Sequence, residues 1–321
     1  MYEKNSLINI PTVHLATNPF LLANKTSYIS WRQQKLAAYP TTIKDLIVQI
    51  NNPYQLSSQE YTALLTRCRK TNFAIYEIDA RVAVDKSVLQ VLTAQLGLHR
   101  LDHNLCADED GIAALQVNTA GRSQEYIPYS NRPINWHTDG YYNTPEQQVR
   151  AVLLHCIRPA LTGGDNQLLD HEIAYIQLRD ANPDYIAALM ATDVMTIPAN
   201  VEQGTELRTA QSGPVFSIES QTGALHMRYT ARTRSIIWKS SDTLSAALTH
   251  LQKLFHEDSP YVFHCRLTPN QGLICNNILH NRSGFTDGDN LEQKRLLYRM
   301  RFYDRIRDTF SIEFEFLCYR E

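Results

Sequence analysis

His137, Asp139 and His280 are the residues whose types could bind a reactive metal, and Arg295 and Arg299 could hold an anion beside it. His137 and Asp139 lie in Asn135-Trp136-His137-Thr138-Asp139-Gly140. On an extended strand, residues i and i+2 point to the same side, so the imidazole and the carboxylate would leave one face together. Two histidines and one carboxylate make the facial triad that holds non-heme Fe(II) and leaves coordination positions open. A three-residue pattern recurs by chance and carries little alone. His280 adds the second histidine, closing the apolar run Leu273-Ile274-Cys275-Asn276-Asn277-Ile278-Leu279-His280. That run reads as one strand, which would put His280 where the strand meets a rim.

The arginines follow in Arg295-Leu296-Leu297-Tyr298-Arg299-Met300-Arg301-Phe302-Tyr303. Strand alternation sends Arg295, Leu297, Arg299, Arg301 and Tyr303 to one face and Leu296, Tyr298, Met300 and Phe302 to the other. Several guanidinium groups on one buried face need anionic partners. A dicarboxylate would serve, since guanidinium grips carboxylate through two parallel hydrogen bonds.

Each residue also has a plainer reading. A lone histidine is more often a satisfied polar core residue than a ligand, and a lone arginine more often pairs with a protein carboxylate or faces solvent. The joint order carries the argument: H-x-D, a long gap, a histidine closing an apolar strand, then an arginine strand. Around it, Asn135 would share the strand face of His137 and could orient a substrate. Tyr141 and Tyr142 could shape the substrate side or simply pack. His226 and Arg228 could line a pocket. His155, within the run 149–157, reads as a core residue or a support for the ligands. Asn276 and Asn277 could satisfy backbone groups at a strand bend. His171-Glu172 lacks the second histidine of H-E-x-x-H, so no zinc protease is implied.

These residues need a scaffold of strands. Runs at 113–117, 149–157, 261–267, 273–280 and 295–303 read as strands, separated by turn clusters such as Leu161-Thr162-Gly163-Gly164-Asp165-Asn166. Helical segments interrupt them at 170–179 and 241–256. In the N-terminal third, Ile43, Leu46, Ile47 and Ile50 recur at helical spacing behind Thr41-Thr42. Ser57-x-x-Glu60 is a capping box, 73–78 reads as a strand, and 85–96 reads as a helix. The first 40 residues look irregular and surface-wrapping. The expectation is one α+β domain over 1–321. It has an N-terminal α/β wrapping segment (1–110), a double-stranded β-helix, or jelly-roll, core (111–305) with a helical insert at about 168–256, and a C-terminal extension (306–321).

Composition narrows the class. Lys plus Arg number 31 and Asp plus Glu 33, a net charge of -2, so no basic excess points to nucleic acid. No apolar run approaches a membrane span, and Met1-Tyr2-Glu3-Lys4-Asn5 leads into no signal-peptide core. The six cysteines are scattered without a C-x-x-C pair and read as free buried thiols of a cytoplasmic protein.

The order of motifs resembles the taurine dioxygenase family (TauD/TfdA-like Fe(II)/2-oxoglutarate-dependent oxygenases) over roughly residues 110–305. Gly163-Gly164-Asp165 looks like that family's Gly-Gly-Asp/Glu turn. Leu225-His226-Met227-Arg228-Tyr229-Thr230, followed by Thr233-Arg234, looks like its segment crossing the active site, and Arg295 and Arg299 match its Arg-x-x-x-Arg spacing. The resemblance implies Fe(II) held by His137, Asp139 and His280, and 2-oxoglutarate gripped by Arg295. It makes Arg299 a substrate anchor, with Arg228 and Arg301 as further cations. Many members carry threonine where this chain has Asn166, whose amide can donate the same hydrogen bond to the cosubstrate. Substrate contacts would come from Arg299, Asn135, Tyr141 and Arg228. The implied activity is hydroxylation by dioxygen of a small anionic or amino-acid-like molecule, with release of succinate and carbon dioxide. Desaturation on the same site, and a jelly-roll binding protein without turnover, are the alternatives. Halogenating relatives lack the carboxylate, so Asp139 points away from halogenation. A homo-oligomer is compatible with all of this.

Overall fold

Two β-sheets carry the site, and strand alternation explains how each is buried. The computed structural model describes residues 17–103, 110–117, 126–202, 204–232, 236–256 and 259–310. Residues 1–16, 311–321, Cys106, Cys318 and Thr233-Arg234 lie outside that description. Ten strands form the two sheets: β1 (Ile47–Ile50), β2 (Phe73–Ile78), β3 (Ala113–Leu115), β4 (Ile134–His137), β5 (Ala151–Arg158), β6 (Asn166–Leu169), β7 (Phe263–Cys265), β8 (Gln271–Cys275), β9 (Leu279–Arg282) and β10 (Leu296–Phe302). The larger sheet runs β1-β2-β8-β5-β10-β3 and the smaller β7-β6-β9-β4. Only the β1–β2 pair among these is parallel.

On β5, Val152, Leu154 and Cys156 face Leu168, Phe263 and Cys265 of the smaller sheet. Ala151 and Leu153, with Met300 and Phe302 of β10, face the other way, onto Leu64, Leu65, Leu89 and Leu92. Those leucines belong to two helices: α2 (Ser58–Thr71), opened by the Ser57/Glu60 capping box, and α3 (Lys86–Gln95), capped by Asp85. The larger sheet is therefore covered on both faces, which is why its strands read as nearly continuous apolar runs. The arginine side of β10 faces inward with Leu297, between the sheets. Helices α4 (His171–Ala181), α5 (Pro183–Leu189) and α6 (Asp242–Lys253) share a third core with short strand pairs at Met195–Ile197, Phe216–Ile218 and Leu225–Met227. No helix among the described residues is long and apolar enough to cross a membrane.

Three expectations fail here. The first 40 residues hold a helix, α1 (Lys25–Leu36). Tyr28, Trp31 and Leu36 pack it against the third core, and buried polar contacts add to the hold. Lys35 is buried and paired with Asp170 (2.7 Å) and Glu172 (2.5 Å), and the Tyr28 hydroxyl donates to Asp180 (2.7 Å). The helical spacing at 43–50 yields only a single 3-10 turn, Ile43–Leu46, before β1, because Ile47, Val48 and Ile50 are β-branched and add a parallel strand beside β2. The run 273–280 is two strands in different sheets, broken at Asn276-Asn277-Ile278, where Asn277 has φ +51°.

Gly272 shows how tightly the larger sheet is built. It lies opposite Tyr76 on one side and His155 on the other. The Tyr76 ring stacks on the His155 ring, with the hydroxyl 3.1 Å from Nδ1. A Cβ at Gly272 would sit 2.1 Å from Tyr76 Cζ, inside a fully buried ring that cannot swing away. Gly272→Ala is expected to cost about 1–3 kcal/mol of stability through overpacking, read as a lower urea midpoint with unchanged slope. An unchanged midpoint would mean that the ring has room to move.

Candidate metal centre

β4 ends on His137, and β9 sets His280 directly across from it in register. The two imidazole centroids lie 4.3 Å apart. Asp139 is the second residue beyond the strand, after Thr138, whose N–H donates to Tyr229 O (2.9 Å). The carboxylate reaches the histidines from a turn and not from the strand pleat, so the i, i+2 argument gave the right neighbours through the wrong geometry. One ligand atom from each of His137, Asp139 and His280 lies within 4.8 Å of the others. His280 is not at a strand end: it is inside β9, paired with both β4 and β6.

The ring nitrogens fit a metal. His137 Nδ1 lies 2.8 Å from Asn135 O, and His280 Nδ1 lies 3.0 Å from Ile278 O. A carbonyl only accepts, so each Nδ1 carries the proton and each Nε2 keeps its lone pair free for an ion. Burial, then the neighbouring His280, lowers the pKa of His137 to about 3, so this imidazole is neutral. Asp139 Oδ2 is buried without a hydrogen-bond partner, while Arg299 Nη1 lies 3.3 Å from Oδ1. Burial pushes the Asp139 carboxyl up, but the charges of Arg299 and Arg301 outweigh it and hold it below the usual carboxylate range. Two imidazoles and a carboxylate with one orphaned oxygen are a donor set suited to a divalent first-row metal.

Between the Gly163-Gly164 turn and the start of β10 lies a small cavity whose lining includes Gly163, Gly164, Asn166, Arg266, Arg295 and Leu297. Arg295 is 5% exposed and its Nη1 is buried without a partner. Burial lowers its pKa to about 10. Among the described residues no carboxylate forms an ion pair with it. Gly163 has φ +72°, and a Cβ there would meet Gly284 O at 2.3 Å, so the turn can approach its neighbour only with glycine. Asn166 is buried and donates one amide hydrogen to Asn281 O (2.8 Å), which leaves its second amide hydrogen available.

A family model for the taurine catabolism dioxygenase TauD, TfdA family matches residues 39–301. The chain belongs to this family. The matched family is one of dioxygenases, and His137, Asp139 and His280 are a donor set that fits the iron such enzymes use. A uridine-5'-phosphate dioxygenase of Amycolatopsis sp is 29% identical over 158 residues, covering 47% of this chain and 55% of the relative. This chain thus spans about half the length of that relative. A second uridine-5'-phosphate dioxygenase, of Streptomyces sp, is 28% identical over 205 residues, 61% of this chain and 70% of that protein. Asparagine oxygenase, solved with Fe(II), 2S,3S-3-hydroxyasparagine and succinate, superposes with TM-score 0.54 at 14% identity, covering 80% of this chain and 93% of that one. A taurine dioxygenase from Burkholderia xenovorans gives TM-score 0.54 at 12% identity, with coverages of 82% and 89%. These two likenesses show the fold.

Not every cation singled out in the sequence of this TauD/TfdA member stays free for a ligand. Arg228 is buried with its guanidinium donating to four backbone carbonyls: Tyr141 (2.7 Å), Met195 (3.0 Å), Gly213 (3.3 Å) and Gln211 (2.8 Å). It ties the crossing segment to the insert instead of facing a pocket as a substrate contact. Arg301 pairs with Asp102 and donates to the Tyr142 hydroxyl (2.9 Å). Asn135 meets the site through its carbonyl on His137, and its side chain is exposed. Tyr141 is half-buried, with its hydroxyl 3.3 Å from Arg232 Nη1. His155 lies on the helix-facing side of β5, away from the metal, as a core residue.

One residue escaped the sequence reading. Arg282 is buried, donates to the carbonyls of Ser130 (2.8 Å) and Arg132 (2.5 Å), and has Phe285 between itself and Arg295 at 4.9 and 5.1 Å. Its position two residues after His280 was the available signal. Asn277, expected to satisfy backbone groups at a strand bend, does so on Asp139 itself.

Proposed function

We propose that the protein hydroxylates a small anionic substrate, with His137, Asp139 and His280 holding Fe(II), Arg295 and Asn166 holding 2-oxoglutarate, and Arg299 on the substrate side. The observation that carries this reading is the convergence of two imidazoles and a carboxylate with an orphaned oxygen, together with a buried Arg295 whose Nη1 has no partner. Iron with 2-oxoglutarate supplies an oxidant made from dioxygen, leaving succinate and carbon dioxide. The chain's own part is placement. The backbone carbonyls of Asn135 and Ile278 fix the two ring tautomers. The N–H groups of Arg295 meet a carboxylate at one end of the cavity, and Arg299, whose Nε has no partner, presents positive charge beside Asp139. The two sheets facing each other across a common core support a double-stranded β-helix, built as a single domain with its helical insert. Four buried cysteines without disulfides support a cytoplasmic setting. Self-association is compatible with the reading.

The preferred substrate class is an amino acid or related small acid, recognised by Arg299. A nucleoside monophosphate is the second reading, and the names of the two relatives favour it. Anaerobic addition of 2-oxoglutarate to the Fe(II) protein is expected to raise a weak visible charge-transfer band. A succinate-release screen should then identify turnover among amino acids, small acids and nucleoside monophosphates. Absence of the band would sink the cosubstrate assignment. A band without turnover across the whole screen would favour a binding protein or a substrate outside both classes.

A further inference from the structure

We infer that Asn277 is a positioning residue for the metal-binding carboxylate, acting as a clamp that fixes the backbone of Asp139. The inference rests on Asp139 being a metal ligand, as proposed above. The Asn277 side chain is 1% exposed and makes three hydrogen bonds, all to the backbone of two residues. Its Oδ1 accepts from the Asp139 N–H (2.7 Å), and its Nδ2 donates to Asp139 O (2.9 Å) and Val149 O (2.6 Å). Both backbone groups of Asp139 are thus held by one rigid amide, in the manner of a neighbouring strand. That matters because Asp139 lies past the end of β4 and has no ladder of its own. The turn is also tied at Thr138, whose N–H donates to Tyr229 O, at Gly140, whose carbonyl accepts from Asn143, and at Tyr141, whose carbonyl accepts from Arg228, but none of these bonds reaches the backbone of Asp139 itself.

The clamp also joins the two histidine elements. Asn277 stands at the corner where the chain leaves β8 in one sheet and enters β9 in the other, three residues before His280. Its φ of +51° makes that corner, and asparagine adopts such a conformation more readily than most residues. One residue therefore sets the approach of His280 and the position of Asp139 together. Its neighbour Asn276 faces elsewhere, donating to Asn72 Oδ1 (3.1 Å) and Thr309 Oγ1 (3.0 Å).

The two roles of Asn277, corner and clamp, separate by substitution. Glycine at 277 keeps the positive φ and removes the amide. Aspartate keeps a side chain that tolerates this conformation and an acceptor for the Asp139 N–H, but it turns an acceptor toward two carbonyls. Co(II) titration of the metal-free protein, followed by its visible spectrum, reads the site without turnover, and thermal unfolding of the metal-free protein reads the corner. Asn277→Gly is expected to keep a single cooperative unfolding transition at a lower temperature, because three buried hydrogen bonds are lost, and to bind Co(II) roughly 10- to 100-fold more weakly, the range for loss of a group that orients a ligand. Asn277→Asp should weaken Co(II) binding at least as much. Asn276→Ala should lower the unfolding temperature and leave Co(II) affinity alone. Wild-type affinity in Asn277→Gly would overturn the clamp, and if that variant does not fold, wild-type affinity in Asn277→Asp would overturn it equally. Wild-type protein whose Co(II) uptake survives His280→Ala would instead defeat the reading of the site, and the clamp with it.

Discussion

Asp139→Ala is expected to abolish turnover and succinate release while the protein still binds 2-oxoglutarate weakly through Arg295. The metal loses its only anionic protein ligand, which fixes both charge and geometry. A second effect follows from Arg299, which is buried and whose ion-pair partner is Asp139. Removing that carboxylate leaves a buried guanidinium uncompensated, which costs about 3–5 kcal/mol in comparable cases. The variant should therefore melt lower as well as be inactive. Asp139→Glu tests geometry alone. It preserves charge but shifts the oxygen by about 1 Å, more than a metal site tolerates, so activity should stay poor. With Asp139 intact, turnover in chloride buffer should give an oxygenated or desaturated product by mass spectrometry and no chlorinated one. A chlorinated product, or full activity in Asp139→Ala, would mean that this carboxylate is not a ligand.

The site was more legible in the sequence than the scaffold was. His137, Asp139 and His280 are chemically conspicuous, and an H-x-D pattern survives an error about the backbone beneath it. The pattern suggested a strand carrying both side chains, whereas Asp139 sits in a turn held by Asn277. Contacts of that kind join positions 138 residues apart and leave no local periodicity to read. The same limit explains α1, whose short apolar face of Tyr28, Trp31 and Leu36 is supplemented by buried ion pairs from Lys35 to Asp170 and Glu172 that no local pattern shows. It explains the split of the run 273–280 too. Hydropathy sees one apolar stretch, while the left-handed backbone at Asn277 turns the chain into the second sheet. Arginine roles were the least legible. Alternation put Arg295, Arg299 and Arg301 on one face, but only the fold reveals that Asp102 neutralises Arg301 and that backbone carbonyls occupy Arg228.

That sorting of arginines supports the second large effect. Arg295→Ala is expected to raise the KM for 2-oxoglutarate by roughly 30- to 4,000-fold, since a buried charge-assisted pair of this kind is worth about 2–5 kcal/mol. Iron affinity should change little, because Arg295 faces the cavity with Asn166 and the glycine turn and makes no ion pair with Asp139. Arg295→Lys should recover only part of the loss: an ammonium keeps the charge but cannot form two parallel bonds to a carboxylate. Arg299→Ala should behave differently, weakening the metal site through Asp139 as well as any substrate contact. The variant series thus separates the two cations by which titration moves, cosubstrate or metal. If Arg295→Ala left 2-oxoglutarate affinity untouched, Arg299 would become the cosubstrate arginine, and the partnerless Nη1 of Arg295 would need another anion to explain its burial.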